Sequence, residues 1–259
     1  MFILIKSGQV AIVTGASSGI GLAFCYALAK RGVKLVLVAR SEDRLLALSQ
    51  ELERDYAISS YVVPLDLSRS DAVFEIRRVV QSFKLSVDVI INNAGFDDFG
   101  DFLETPWTDH ASMLQAMLIC PTRLCYEFLP DMKKKQAGCI INVGSIVGLF
   151  TLKLFKRSRP RVLYGPIKSY LIDYTRSLSR RYRADGIVCQ ALCPGLTWSE
   201  FHQRSGESDI YKRIPKRFWL TSEAVVDQSL AALSREKTVV VTGWYNQLLN
   251  QLHRRIFLG

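Results

Sequence analysis

Two side chains capable of acid–base chemistry stand four residues apart in the segment Tyr164-Gly165-Pro166-Ile167-Lys168. On a helix, residues i and i+4 share one face, one turn apart. The ammonium of Lys168 would therefore lie beside the phenol of Tyr164 and favour its ionised form. Such a pair can pass a proton to or from a substrate oxygen. The alternative is an ordinary tyrosine and lysine on a helix.

A glycine-rich turn near the start of the chain follows an apolar run, and a helical pattern begins within it. Glycines let a backbone approach a pyrophosphate closely, and the N–H groups at a helix amino end favour negative charge. The strand before the turn and the helix after it favour dinucleotide binding over a plain turn. The candidate cofactor-binding residues are Gly15, Ser17, Ser18, Gly19, Ile20 and Gly21.

Arg40 stands at the end of the second apolar run, where a dinucleotide fold reads the adenosine ribose. A carboxylate there suits the free 2′-hydroxyl of NAD, whereas an arginine suits the 2′-phosphate of NADP. Neither residue 39 nor residue 40 is acidic. The position predicts a preference for NADP(H). The alternative is a surface arginine at a helix start.

Strand and helix patterns alternate along the whole chain, without a linker or a repeat, which predicts a single α/β domain over 1–259. The short apolar runs are typical of buried parallel strands, and the predicted order is a doubly wound sheet with helices on both faces. Seven strands are predicted, at 10–13, 34–39, 59–63, 87–91, 139–143, 187–192 and 238–241. Six helices are predicted, at 19–31, 42–55, 70–83, 108–134, 164–184 and 222–234.

Five motifs in this order resemble the short-chain dehydrogenase/reductase family. They are the glycine-rich turn at 14–21, Asn92-Asn93-Ala94-Gly95, Gly144-Ser145, the Tyr164–Lys168 segment and Pro194-Gly195. The resemblance covers residues 9–201. It implies a Rossmann-type fold and a broad subgroup that acts on varied carbonyl and hydroxyl substrates.

The resemblance also implies roles for individual residues. Ser145 would hydrogen-bond the substrate oxygen, Tyr164 would exchange its proton as hydride moves, and Lys168 would also hold the nicotinamide ribose. Together these three form the expected catalytic set, with Tyr164 and Lys168 contacting the cofactor as well. Further cofactor contacts are implied at Asp66, Leu67, Asn93, Ala94, Gly95, Pro194 and Gly195.

Two departures from the family pattern stand out. Met117 occupies the position where the family usually has an asparagine that helps to hold a relay water, and a thioether is only a weak acceptor. Ser145 and Tyr164 are also further apart than usual, because of an insertion at about 152–162 that carries five basic residues. That insertion could cover the cleft, select an anionic substrate, or be a solvated basic loop.

Composition narrows the classes of protein. The 259 residues are 49% hydrophobic and 22% charged, which is ordinary for a globular protein and excludes a disordered one. Residues 131–259 hold 22 Lys/Arg against 9 Asp/Glu, a net charge of +13 within the total of +10. The six cysteines form no CxxC pair and the three histidines are far apart, so we expect free thiols, no metal site and a cytoplasmic location.

The leading hypothesis is an NADP(H)-dependent reductase of ketones or aldehydes, or the reverse alcohol dehydrogenase. Its apolar small-molecule substrate would be selected by a loop at about 196–218 and by the insertion, and a homodimer or homotetramer is expected. A sensor or scaffold that binds the cofactor with little turnover is one alternative. Another is a peripheral membrane enzyme whose tail, 248–258, is an interfacial helix, although we favour packing of that tail on the domain or on a second subunit. Only net charge favours nucleic-acid binding, which we do not expect.

Overall fold

The computed structural model describes residues 5–96, 101–149, 162–198 and 214–257, with the backbone alone from residue 253 onward. Seven parallel strands form one sheet in the order β3-β2-β1-β4-β5-β6-β7. The strands are β1 Val10–Thr14, β2 Lys34–Ala39, β3 Ser60–Pro64, β4 Val87–Asn92, β5 Gly138–Val143, β6 Ile187–Cys193 and β7 Val239–Val241. Each predicted strand is confirmed, with ends that differ by one residue at most.

Helices cover both faces of this sheet, which confirms the doubly wound α/β fold. They are α1 Gly19–Ala29, α2 Glu42–Tyr56, α3 Ala72–Ser82, α4 Trp107–Leu114, α5 Cys120–Lys135, α6 Tyr164–Tyr182, α7 Ser222–Leu233 and α8 Trp244–Phe257. One apolar core lies between the sheet and α1, α2 and α7, and a second lies between the sheet and α3, α5 and α6. Because the strands are buried on both sides, their side chains are apolar without alternation.

The strand order reverses between β1 and β4, which are neighbours in the sheet although two strands separate them in the chain. The chain leaves β1 towards one face of the sheet and leaves β4 towards the other, so a crevice opens beyond the carboxyl ends of these two strands. Thr14 ends β1 and Asn92 ends β4. This edge of the sheet is therefore where the fold positions a ligand.

The structure divides the predicted helix 108–134 into three parts. A π-helical segment, Gln115–Ile119, lies between α4 and α5. Pro121 is the second residue of α5, and because proline has no N–H it cannot complete the α-helical ladder there. The hydrophobic pattern continues across the break, so periodicity alone predicts one helix.

All six cysteines are free and buried. Burial raises the pKa of the thiols of Cys120, Cys125, Cys139 and Cys193 to about 12, and it moves those of Cys25 and Cys189 higher still. A thiol reacts as its thiolate, so burial lowers the reactivity of these side chains in the folded protein. Among the residues that the structure describes, no helix has the length and apolarity needed to span a bilayer.

Candidate active site

The glycine-rich turn connects β1 to α1 in a conformation that side chains would block. A Cβ at Gly21 would lie 2.1 Å from the carbonyl oxygen of Gly15, and a Cβ at Gly15 would lie 2.7 Å from Nδ2 of Asn93. Gly15 and Gly19 have positive φ angles of 67° and 55°. Ser18, the N-cap residue of α1, makes no side-chain capping bond. The amino end of α1 therefore keeps backbone N–H groups available for an anion, as a phosphate cradle requires.

Asn93 and Thr14 tie the end of β4 to this turn. The Asn93 amide donates to the carbonyls of Thr14 at 2.9 Å and Gly15 at 3.3 Å. In return, Thr14 Oγ1 accepts from the backbone N–H groups of Asn93 at 2.9 Å and Ala94 at 3.1 Å. The Asn93 side chain thus holds the turn in place, and the backbone of Ala94 and Gly95 runs along the crevice.

Arg40 lies exposed just beyond β2, on the side of the crevice where the adenosine half of a dinucleotide would lie. Burial alone would raise the pKa of nearby Asp66, but hydrogen bonds from Ser68 and the charges of Arg40 and Arg69 hold that pKa below its ordinary value. The ionised Asp66 carboxylate accepts from the backbone N–H of Ser68 at 2.9 Å and from its hydroxyl at 2.8 Å. The exposed guanidinium of Arg40 therefore lies within the field of this carboxylate.

Tyr164 and Lys168 lie together on the buried face of α6, as their spacing predicts. Their side chains are 7% and 4% exposed. The ammonium Nζ of Lys168 lies 5.6 Å from the centre of the Tyr164 ring and donates to the carbonyl of Val143 at 2.8 Å. Because Val143 is the last residue of β5, that carbonyl anchors the charge at the carboxyl edge of the sheet.

Ser145 reaches the same place from the strand side. It caps a short 3-10 turn, Ile146–Gly148, and its Oγ accepts from the backbone N–H of Val147 at 3.3 Å. A Cβ at Gly148 would lie 2.7 Å from the backbone of Lys168, so the turn packs directly on α6. This contact places the Ser145 hydroxyl and the Tyr164–Lys168 pair on one rigid unit.

Pro194 and Gly195 complete this edge beyond β6. The carbonyl of Pro194 accepts from the backbone N–H of Ile146 at 2.9 Å, which links the segment to the Ser145 turn. A Cβ at Gly195 would lie 2.1 Å from Nδ2 of Asn246, so α8 approaches the site here. The predicted cofactor residues Gly15, Asn93 and Gly195 thus line one continuous edge.

Met117 faces the site from the π-helical segment. Its side chain is 1% exposed, and its sulfur accepts from the backbone N–H of Phe96 at 3.4 Å. A Cβ at Gly95 would lie 3.2 Å from Cε of Met117 and 3.7 Å from Nζ of Lys168. The thioether therefore fills the space next to Lys168 with apolar atoms.

A buried polar chain runs behind Met117. Asn92 donates to Oδ1 of Asn142 at 2.8 Å, Asn142 donates to Oγ1 of Thr175 at 2.8 Å, and Thr175 donates to the carbonyl of Leu171 at 2.6 Å. Within the described part of the chain, Oδ1 of Asn92 has no partner. A cavity of about 10 Å³ adjoins it, lined by Thr14, Asn92, Met117 and Pro121 among others. That volume matches a single water molecule.

A family model described as short chain dehydrogenase matches residues 9–209. The chain belongs to the short chain dehydrogenase family.

Relatives of this dehydrogenase act on diverse compounds. A 7beta-hydroxysteroid dehydrogenase from Mediterraneibacter gnavus is 26% identical over 235 residues, covering 91% of this chain and 86% of the relative. A very-long-chain 3-oxoacyl-CoA reductase from Macaca fascicularis is 28% identical over 191 residues, covering 72% of this chain and 59% of the relative. A short-chain dehydrogenase from Sphingobium yanoikuyae, solved in complex with NADPH, is 26% identical with a TM-score of 0.82, covering 96% of this chain and 95% of that one.

Membership makes this protein an oxidoreductase that acts on hydroxyl or carbonyl groups with a nicotinamide cofactor. The crevice fits such a cofactor on its own geometry, because the turn at Gly15 and Gly21 excludes side chains and the amino end of α1 is uncapped.

Sequence reasoning about this dehydrogenase missed three supporting features. Thr14, Gly148 and the Asn92–Asn142–Thr175 chain hold the site together through packing and hydrogen bonds. Thr14 and Asn92 lie inside two of the sequence motifs, and Gly148 is a glycine three residues after a candidate catalytic serine, whereas Asn142 and Thr175 carry no such signal. The insertion at 152–161 and most of the substrate loop, 199–213, lie outside the described residues, so the predictions made for them remain predictions.

Proposed function

We propose that the protein interconverts a ketone or aldehyde and the corresponding alcohol with NADP(H), through acid–base catalysis by Tyr164. The observation that carries this proposal is the buried Lys168 ammonium beside the Tyr164 ring, anchored on Val143 at the edge of the cofactor crevice. A buried positive charge next to a phenol favours the phenolate that forms when the proton leaves.

Each catalytic residue has one task in this proposal. A bound nicotinamide supplies hydride to the carbonyl carbon, or accepts it from the alcohol. Tyr164 donates its phenolic proton to the substrate oxygen in reduction and takes it back in oxidation. Ser145 donates a hydrogen bond to the same oxygen, keeps its own proton and fixes the position of that oxygen. Lys168 stabilises the phenolate left on Tyr164 and would hold the nicotinamide ribose.

The cofactor would be held mainly by the backbone. The turn from Gly15 to Gly21 would take the pyrophosphate, while Asp66 and Leu67 would contact the adenine. Ala94, Gly95 and the Pro194-Gly195 segment would lie along the ribose and the nicotinamide. Arg40 would form a charge-assisted contact with the 2′-phosphate, which supports NADP(H) over NAD(H).

An apolar substrate is supported by the aromatic residues near the substrate loop. Trp198 and Trp219 stack with ring centres 4.4 Å apart, and Trp198 is 51% exposed. Phe218 packs against Tyr245 with ring centres 4.7 Å apart. A half-exposed indole next to the crevice offers a flat apolar surface for a hydrophobic substrate.

The experiment that tests the proposed function is a screen of NADPH oxidation against ketones, aldehydes and acyl thioesters. Cofactor affinity is measured in parallel by fluorescence titration. We expect turnover on at least one apolar carbonyl substrate. If NADPH binds and none of the panel is reduced, the proposal is wrong.

Met117 favours a second candidate, a cofactor-binding sensor or scaffold with little turnover. Its thioether places apolar atoms next to Lys168 and supplies no donor for a relay. The intact set of Ser145, Tyr164 and Lys168 argues for the enzyme. Binding of NADPH without reduction of any panel compound is the result that selects this candidate.

Two further properties are proposed. Free, buried thiols fit a reducing compartment, which supports a cytoplasmic location.

Exposed Ile119 and Tyr126 lie two turns apart on one face of the π segment and α5, which supports a homodimer or homotetramer through this face. Sedimentation equilibrium tests this: Tyr126→Arg should yield monomer, and an unchanged mass for the variant would contradict the interface.

A further inference from the structure

Among the described side chains of α8, four of the five apolar or aromatic ones are exposed, and Leu249 is partly buried. Trp244, Leu248 and Leu252 follow at intervals of four, which places them on one face of the helix. They are 69%, 47% and 46% exposed, and Tyr245 beside them is 39% exposed. These four side chains form the apolar face of α8.

The side of α8 that approaches the domain is more polar than the exposed side. Asn246, Leu249 and Asn250 are the partly buried positions. The Asn246 amide donates to the carbonyl of Thr242 at 2.8 Å and packs against Gly195. A surface helix ordinarily buries its apolar stripe, whereas here Trp244, Leu248 and Leu252 are exposed together with Gln247 and Gln251. The sequence alone favours packing of this tail on the domain or on a second subunit. In the structure the apolar face of α8 is exposed, so it is available to another surface.

Basic side chains flank the apolar face. Lys216 and Arg217 are exposed in a 3-10 turn that contacts the start of α8. The Arg217 guanidinium lies 5.1 Å from the Phe218 ring centre, and Phe218 packs on Tyr245. The segment 244–257 itself contains two arginines and no acidic residue. The surface therefore combines aromatic and aliphatic groups with positive charge.

We propose that the apolar face of α8 docks on an anionic lipid bilayer. Tryptophan and tyrosine favour the region between acyl chains and head groups, and lysine and arginine attract anionic head groups. A helix of this kind lies in the interface plane without crossing the bilayer. The proposal rests on α8 and its neighbours, and it holds whether or not the protein reduces a carbonyl.

A second copy of the chain fits this face less well than a bilayer does. A two-fold contact through α8 would bring the same basic groups of both copies together, which is unfavourable. Four side chains also provide much less area than the roughly 800 Å² per partner of a stable protein interface. Charge and area therefore both select the lipid surface.

Co-sedimentation with vesicles tests the proposal. Full-length protein is mixed with vesicles of phosphatidylcholine alone or of phosphatidylcholine with phosphatidylglycerol, at low and high salt. We expect binding only to the anionic vesicles, weakened by salt, and a loss of about tenfold or more in Leu248→Gln/Leu252→Gln. Leu103→Gln is the matched control, because Leu103 is 89% exposed and lies outside α8; it should bind as the parent protein does.

Fluorescence provides a second measurement that does not depend on the double variant. Brominated lipids should quench the parent protein and fail to quench Trp244→Phe to the same extent, since the other three tryptophans lie outside α8. Absence of anionic-vesicle binding overturns the proposal. So does equal binding by Leu248→Gln/Leu252→Gln, or a parent dimer that this double variant converts to monomer in sedimentation equilibrium.

Discussion

The glycine-rich turn proposed to bind phosphate and the proposed proton-transfer centre lie at the same edge of the sheet, yet they are built in opposite ways. At the turn, glycines bring the backbone of Gly21 against that of Gly15, so that no side-chain atom fits. At the centre, the side chains of Tyr164 and Lys168 meet in a buried space, and the buried side chain of Met117 lies close by.

This difference separates two kinds of failure. A change in the turn is a steric change, so it should damage cofactor binding and stability together. A change of one proton donor at the centre leaves the packing intact, so it should damage turnover alone.

The largest expected effect is at the centre. Tyr164→Phe removes the transferable proton and little volume, so we expect turnover to fall by about 10²–10⁴-fold, the usual contribution of acid–base catalysis. Cofactor affinity from fluorescence titration should change little. The matched control is Tyr170→Phe on the same helix, whose hydroxyl instead contacts Thr122 at 2.9 Å. Retention of most of the turnover by Tyr164→Phe would show that another group donates the proton.

A smaller effect, of the other kind, is expected at the turn. Gly21→Ala introduces a Cβ 2.1 Å from the Gly15 carbonyl oxygen, so backbone must move, at a cost of about 1–3 kcal/mol or more. Unfolding temperature and NADPH affinity should fall together. Gly165→Ala is the control, because within the described residues its Cβ would meet only Val147, at 3.8 Å, and alanine favours a helix by about 0.5–1 kcal/mol. Equal melting temperatures for the two variants would contradict the steric account.

A variant of Arg40 tests whether a side chain, in addition to the backbone of the glycine-rich turn, contributes to cofactor binding through the 2′-phosphate. We expect Arg40→Ser to weaken NADPH binding by about ten- to a hundredfold, the equivalent of about 1.5–3 kcal/mol for a hydrogen bond to a charged group, with NADH binding unchanged. Arg69→Ser, another exposed arginine near Asp66, should leave the ratio of the two affinities as it is. Similar affinities of the parent protein for NADPH and NADH would remove the role given to Arg40.

The smallest effect, and the one that sharpens the comparison most, concerns Met117. Met117→Asn restores a donor and an acceptor beside Lys168, so we expect a severalfold rise in turnover and a smaller solvent isotope effect. Placing an amide in this closed site should lower stability by about 1–3 kcal/mol. Met113→Asn, equally buried but one turn earlier in α4, should lower stability only. A turnover that does not rise would mean that proton relay does not limit the rate.

Much of this arrangement could be predicted, because the relevant constraints are local. The strands are short runs rich in β-branched residues. The glycines between Gly15 and Gly21 have a spacing that few backbone conformations need. The π segment at Gln115–Ile119 could not be predicted, because apolar residues continue through it at helical spacing. The contact of Gly148 with α6 and the Asn92–Asn142–Thr175 chain join residues far apart in the chain, which periodicity does not show. The exposure of the apolar face of α8 could not be predicted either. A hydrophobic pattern shows that a helix has two faces, but it does not show which face is turned inward.

Because all six thiols are buried, each of them can report when its part of the protein opens. Cys25 lies in α1, Cys120 and Cys125 in α5, Cys139 in β5, and Cys189 and Cys193 in β6. Because each thiol is buried and protonated, an alkylating reagent can reach it only when its own layer opens. The labelling rate at each cysteine, followed by mass spectrometry, therefore measures the free energy of opening at that layer. Bound cofactor should slow labelling most at the cysteines nearest the crevice.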